Sequence, residues 1–114
     1  MKTIYLDNAA TTPIDTEVID VMYESMMHNN GNPSSTHQFG RKAKSSVETA
    51  RKNIAKHLNV SASEIIFTAG GTEADNLILQ NAVTNLGVKV IITSKIEHHA
   101  VLHTAVYLQN TYNT

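Results

Sequence analysis

Ile65-Ile66-Phe67-Thr68-Ala69-Gly70-Gly71-Thr72-Glu73 runs from a β-branched and aromatic segment into two glycines, then a hydroxyl and an acidic residue. Its first four residues have the composition of a buried strand. Leu77, Ile78, Ala82, Val83 and Leu86 follow at helical spacing, and Gly87 stands where a C-terminal cap belongs. Val88 to Thr93 (VKVIIT) predicts another strand, and Val101, Ala105, Leu108 and Tyr112 mark a last helix. Strand, helix, strand, helix with short joints predicts an α/β fold with parallel pairing and a right-handed crossover.

Upstream, Thr3 to Leu6 is a short extended candidate, ended by the turn-prone run from Asp7 to Pro13. Asp15 can cap a helix marked by Val18, Ile19, Met22, Tyr23 and Met26, which should stop at His28 before Asn29-Asn30-Gly31-Asn32-Pro33. Ser34 to Thr36 can cap the next. Phe39, Ala43, Val47, Ala50, Ile54 and Leu58 form one apolar stripe, the mark of an amphipathic helix lying on a core. Asn59 should end it, and Ser61-Ala62-Ser63-Glu64 has capping-box spacing. Two or three strands make a poor α/β domain, because parallel sheets need both faces covered. Tyr112-Asn113-Thr114 falls where another strand is due, so the unit is expected to be incomplete.

Composition narrows the function classes. The 114 residues include no Cys and no Trp, so a disulfide framework, a thiolate metal site and a thiol nucleophile are all excluded within this sequence. Hydrophobic residues at 41% and charged residues at 17% describe a globular chain, for which one domain is the prior at this length. A net charge of −1 leaves no basic surplus for a phosphate backbone, so no direct nucleic-acid partner is expected. No apolar run approaches a membrane span and no signal-peptide core precedes Asp7; a cytoplasmic location follows as the default.

Three features carry possible chemistry. At Gly70-Gly71-Thr72 a strand meets a helix N-terminus, where free amides and the helix dipole favour an anion. The Thr72 hydroxyl adds a donor, and the construction suits one phosphate group. It matches neither a dinucleotide fingerprint nor a Walker A loop, and two glycines at such a joint equally serve plain turn chemistry. Glu97-His98-His99 with His103 is the second feature. His99 and His103 share a helix face, yet no third ligand is apparent, and no metal is expected. His98 either points into the crevice at the end of a parallel strand, where an imidazole can stack on an aromatic ligand and exchange protons, or is an exposed histidine at a helix start. The third feature comprises the loops at 7–13 and 31–37, which alone are connectors.

Taken in order, four segments resemble one family. Tyr5-Leu6-Asp7-Asn8-Ala9-Ala10-Thr11-Thr12-Pro13 looks like the opening of NifS-like cysteine desulfurases, in the class V aminotransferase group of pyridoxal-phosphate enzymes. Gly31-Asn32-Pro33-Ser34-Ser35, with His37 and Phe39-Gly40, resembles their next segment. Thr68-Ala69-Gly70-Gly71-Thr72-Glu73-Ala74-Asp75-Asn76 is similar to their phosphate-binding turn, and Thr93-Ser94-Lys95-Ile96-Glu97-His98-His99-Ala100-Val101 to the segment that brings a histidine over the cofactor ring.

The resemblance implies that residues 1–114 form an incomplete N-terminal portion of the large domain of a fold-type I pyridoxal-phosphate enzyme, with 1–14 as an N-terminal arm. The amides of Gly71 and Thr72, with the Thr72 hydroxyl, would hold the cofactor phosphate. His98 would stack on the pyridine ring and act catalytically as a proton shuttle. The implied reaction converts L-cysteine to L-alanine and enzyme-bound persulfide sulfur for iron–sulfur cluster assembly or tRNA thiolation, with a sulfur-acceptor protein and a homodimer as partners. Two groups that the family needs are not in this sequence: a lysine following Ser-His that holds the cofactor covalently, and a mobile cysteine. None of the seven lysines follows Ser-His, and Lys95 belongs to the strand-end segment. The 114 residues alone are therefore expected to be inactive. The alternatives are a related class V enzyme such as selenocysteine lyase, or a non-catalytic complementing or interaction module.

Overall fold

Helices form wherever the sequence combines an apolar repeat with a start signal. A computed structural model describes residues 3–114, with α1 at Thr16–His28, α2 at Gln38–Leu58, α3 at Gly71–Thr84 and α4 at His99–Tyr112. The residues group into two compact units, Met1–Ile65 and Ile66–Thr114. Met1 and Lys2, the start of the expected arm, lie outside the described residues. The rest of that arm has no helix or strand, only a turn in which Ala10 N–H donates to Asp7 O at 3.1 Å.

In the first unit, α1 starts because the Asp15 carboxylate accepts the Glu17 N–H at 2.9 Å, and it ends at His28 as expected. No residue of α1 is buried. The N-cap of α2 is His37, whose Nδ1 accepts from Gly40 N–H at 3.4 Å, and not the expected Ser34–Thr36. Those hydroxyl residues belong to a turn around Asn32, whose side-chain oxygen accepts from Ser34 N–H and whose carbonyl accepts from Ser35 N–H, both at 2.9 Å. The turn lies so close to α2 that a Cβ on Gly40 would stand 2.3 Å from Ser35 O, so only glycine fits there.

Asn59 ends α2 in the left-handed conformation, at φ 55°. A 3-10 turn at Ala62–Glu64 follows with its capping box complete, Glu64 accepting from Ser61 N–H at 2.7 Å. The Arg51 side chain reaches from α2 to Ile65 O and pairs with Glu48 at 3.2 Å. Within this unit the turn is what packs on α2. The apolar stripe is accordingly covered only in part: Ala43 is buried, as are Gly40 and Ala55 of the same helix, whereas Phe39 and Leu58 stay exposed.

The second unit is built on the packing of α3 against α4. Ala100, Thr104 and Leu108 form the buried face of α4 and Val83 that of α3. The face expected from Val101, Ala105, Leu108 and Tyr112 is thus rotated by about one residue, because Thr104 is buried in spite of its hydroxyl. Leu108 is the one large side chain among the described residues that is wholly enclosed. Leu108→Ala should lower stability by about 2–5 kcal/mol, read as a shift in the urea midpoint. The same change at exposed Tyr107 should move it far less.

The parallel sheet of the expected α/β fold is not formed among the described residues. Thr3 to Leu6, Ile65 to Thr68, and Val88 to Thr93 carry no strand. A strand exists through hydrogen bonds to a neighbour's backbone, and neither 65–68 nor 88–93 is part of such a ladder among the described residues. What they do provide is placement, delivering the chain to the first turns of α3 and α4. Among the described residues no helix is long and apolar enough to cross a membrane.

Candidate functional site

Gly70 is the N-cap of α3, and it supplies no side-chain hydrogen bond. Asp15, His37 and His98 each cap their own helix with a side-chain acceptor. In a capping box the N-cap hydroxyl takes an amide of the first turn while the third helical residue reaches back. Here neither half exists as such: Glu73 Oε2 reaches past the N-cap and accepts from Ala69 N–H at 2.6 Å. The carboxylate is therefore engaged on Ala69, and the N–H groups of Gly71, Thr72 and Glu73 have no partner within the helix. Helix dipole and free amides together present a partial positive charge to solvent.

The glycines are not needed by the backbone. Gly70 is extended (φ 166°, ψ 180°), a conformation open to any residue, and Gly71 is helical. A Cβ on either would meet nothing within 4 Å. What their bareness leaves is space, a depression of about 440 Å³ lined by Ala69, Gly70, Gly71, Thr72, Glu73 and Asn76. All but Asn76 are exposed. Neither glycine is required by a positive φ or a close contact, and the open space leaves the free amides of the helix start accessible.

His98 begins the partner helix. It is the N-cap of α4, exposed, with Nδ1 accepting from Ala100 N–H at 3.1 Å. An Nδ1 that accepts carries no proton, so the neutral ring holds its proton on Nε2. Nitrogen-15 spectra of labelled protein above the histidine titration should show His98 in this Nε2–H form; an Nδ1–H pattern would contradict the cap. His98 does not line the depression, but it shares a unit with it and heads the helix that packs on α3. His99 and His103 have ring centroids 5.0 Å apart and tilted by 31°. No group of three histidine, cysteine or carboxylate side chains able to hold a metal ion occurs among the described residues.

Asn76 joins the two helices, a role its place in the turn segment does not announce. Its side chain binds Thr72 O at 2.6 Å on one side and the Thr104 hydroxyl on the other. Polar residues at positions 76 and 104, each on the inner face of an otherwise apolar pattern, were the available signal.

The aminotransferase class-V family model matches residues 4–114. The chain is 50% identical over 112 residues to a putative cysteine desulfurase of Bacillus subtilis (strain 168), covering 96% of this chain and 29% of that protein. It is 41% identical over 123 residues to a selenocysteine lyase of Xenopus tropicalis, covering 96% and 28%. Among solved structures it resembles a NifS-like protein with a TM-score of 0.83 and 42% identity, over 90% of this chain and 29% of that one. The chain thus spans less than a third of the length of the relatives it matches.

Proposed function

The chain belongs to the aminotransferase class-V family, and from that premise we propose that it supplies the N-terminal share of the cofactor site of a pyridoxal-phosphate-dependent cysteine desulfurase. The observation that carries this reading is the uncapped, glycine-bared start of α3 in the same unit as His98. A phosphate there takes the place of the missing N-cap side chain.

Gly71 and Thr72 bind through their amides, and Thr72 also through its hydroxyl. Glu73, held on Ala69 N–H, leaves those donors open. Pyridoxal phosphate, when bound, supplies the electron sink that labilises bonds at the substrate's α and β carbons. His98 presents the flat ring that an aromatic ligand stacks on, and it holds a transferable proton at Nε2 while Nδ1 stays committed to Ala100. In the overall reaction the carbon–sulfur bond of L-cysteine breaks. The sulfur joins an enzyme thiol as persulfide, and L-alanine leaves. The thiol and the lysine that holds the cofactor come from outside these 114 residues, as do a sulfur-acceptor protein and a second subunit.

Desulfurase stands ahead of selenocysteine lyase because identity to the desulfurase is higher over a comparable length, 50% against 41%. The test is turnover by the intact enzyme. Loaded with pyridoxal phosphate and given L-cysteine, it should form alanine and persulfide sulfur in equal amounts. Turnover of selenocysteine alone would select the lyase. Residues 1–114 by themselves should yield neither alanine nor sulfide, because they contain no cysteine and no Ser-His-Lys.

A further inference from the structure

We propose that Asn76 and Thr104 are positioning residues that lock the phosphate turn of α3 to the helix that begins at His98. The inference rests on the cofactor reading above. Asn76 Nδ2 donates to Thr72 O at 2.6 Å, and Asn76 Oδ1 accepts from Thr104 Oγ1. The directions are fixed by chemistry: Thr72 O can only accept, so the amide nitrogen faces it, and the Thr104 hydroxyl must then donate.

The first bond braces the turn that carries the Gly71 and Thr72 donors. Thr72 C=O and Glu73 N–H belong to one planar trans peptide and point in opposite directions. The helix already directs this carbonyl along α3, and the Asn76 amide braces it there, keeping Glu73 N–H outward from the helix start beside those of Gly71 and Thr72. The second bond sets the relation of the two helices. Thr104 is 5% exposed and is the one buried polar residue among those described. Asn76 is half-buried and lines the depression. Each sits about one and a half turns in from the start of its helix. Two rigid helices joined at that depth hold their first turns, and so Thr72 and His98, in a fixed relation.

Packing alone does not call for this pair. An apolar side chain at 104 would fill the same space with no hydrogen bond to satisfy, and a helical threonine ordinarily returns its hydroxyl to a carbonyl of its own helix. The Thr104 hydroxyl instead crosses to α3, and the group it meets is the one that holds the phosphate turn.

The experiment uses the intact pyridoxal-phosphate enzyme and reads two quantities: cofactor affinity and the visible circular dichroism of the cofactor per molecule bound. Thr104→Val keeps the shape and removes the donor; Thr104→Ser keeps the donor. T104V should weaken cofactor binding by about tenfold and reduce the dichroism, and T104S should restore both. Asn76→Ala carries the same expectation from the α3 side and serves if T104V does not fold. A fall in melting temperature with affinity and dichroism unchanged would show a merely structural pair and overturn the inference, as would a T104S no better than T104V. A wild-type enzyme that binds no cofactor would instead defeat the functional reading, and this inference with it.

Discussion

Gly70→Asp is expected to leave the fold as stable as before, or slightly more so, and to weaken pyridoxal-phosphate binding about a hundredfold or more. Asp is among the best N-cap residues and Gly a weaker one, with a few tenths of a kcal/mol between them. Gly70 is extended, and a side chain there meets open space, so the backbone raises no objection. The new carboxylate would accept from the amides of the first turn of α3, which have no partner now. It would thereby occupy the donors that a phosphate needs and repel the phosphate charge. One charge-assisted hydrogen bond contributes roughly 1.5–3 kcal/mol, and a hundredfold loss corresponds to about 2.7 kcal/mol. Losing a single such bond thus accounts for the effect before repulsion is counted. Two controls make the cause legible. Pyridoxal without its phosphate should bind nearly as well to G70D as to wild type, and Gly70→Ala should have little effect on either ligand. Undiminished pyridoxal-phosphate binding by G70D would remove the anion site from α3.

His98→Asn separates the two roles of His98. Asparagine caps a helix as well as any residue, so the bond to Ala100 N–H can be kept while the ring and its titratable nitrogen are lost. Stability should stay near wild type. Cysteine turnover by the intact enzyme should fall by about 10²–10⁴-fold, the range for loss of a positioned proton-transfer group. His98→Ala should show the same loss of turnover plus about 1 kcal/mol of lost stability from the uncapped α4. Near-wild-type turnover in H98N would reduce His98 to a cap.

Much of this was legible in the sequence because it is local. Asp15, Asn59 and the Ser61–Glu64 capping box act over three or four residues, and the structure uses each as the spacing predicts. The limits are just as physical. His37 displaced the serines as the cap of α2 because Asn32 had already engaged them in a turn, a competition that no propensity scale ranks. The sheet could not be read from strand composition, since pairing depends on which neighbour is adjacent and composition does not encode adjacency. The buried face of α4 is a residue away from its apolar repeat, because Thr104 is buried with its hydroxyl bonded to Asn76 and an apolar pattern does not include it. At the candidate site, the glycine turn and His98 stood out by residue type. Two things needed coordinates: that Gly70 and Gly71 answer no backbone demand, and that Nδ1 of His98 is already taken.

The segment from Val88 to Thr93 bears on how such a polypeptide survives its own synthesis. Val90 and Ile92 are 71% and 95% exposed, and the backbone around them offers unclaimed donors and acceptors. Short β-branched runs of this kind are what cross-β assemblies recruit. Lys89 and Lys95 flank its centre, where like charges would stack in any in-register ribbon and oppose its growth. Neutralising both should make the segment nucleate fibrils more readily, read by thioflavin T fluorescence.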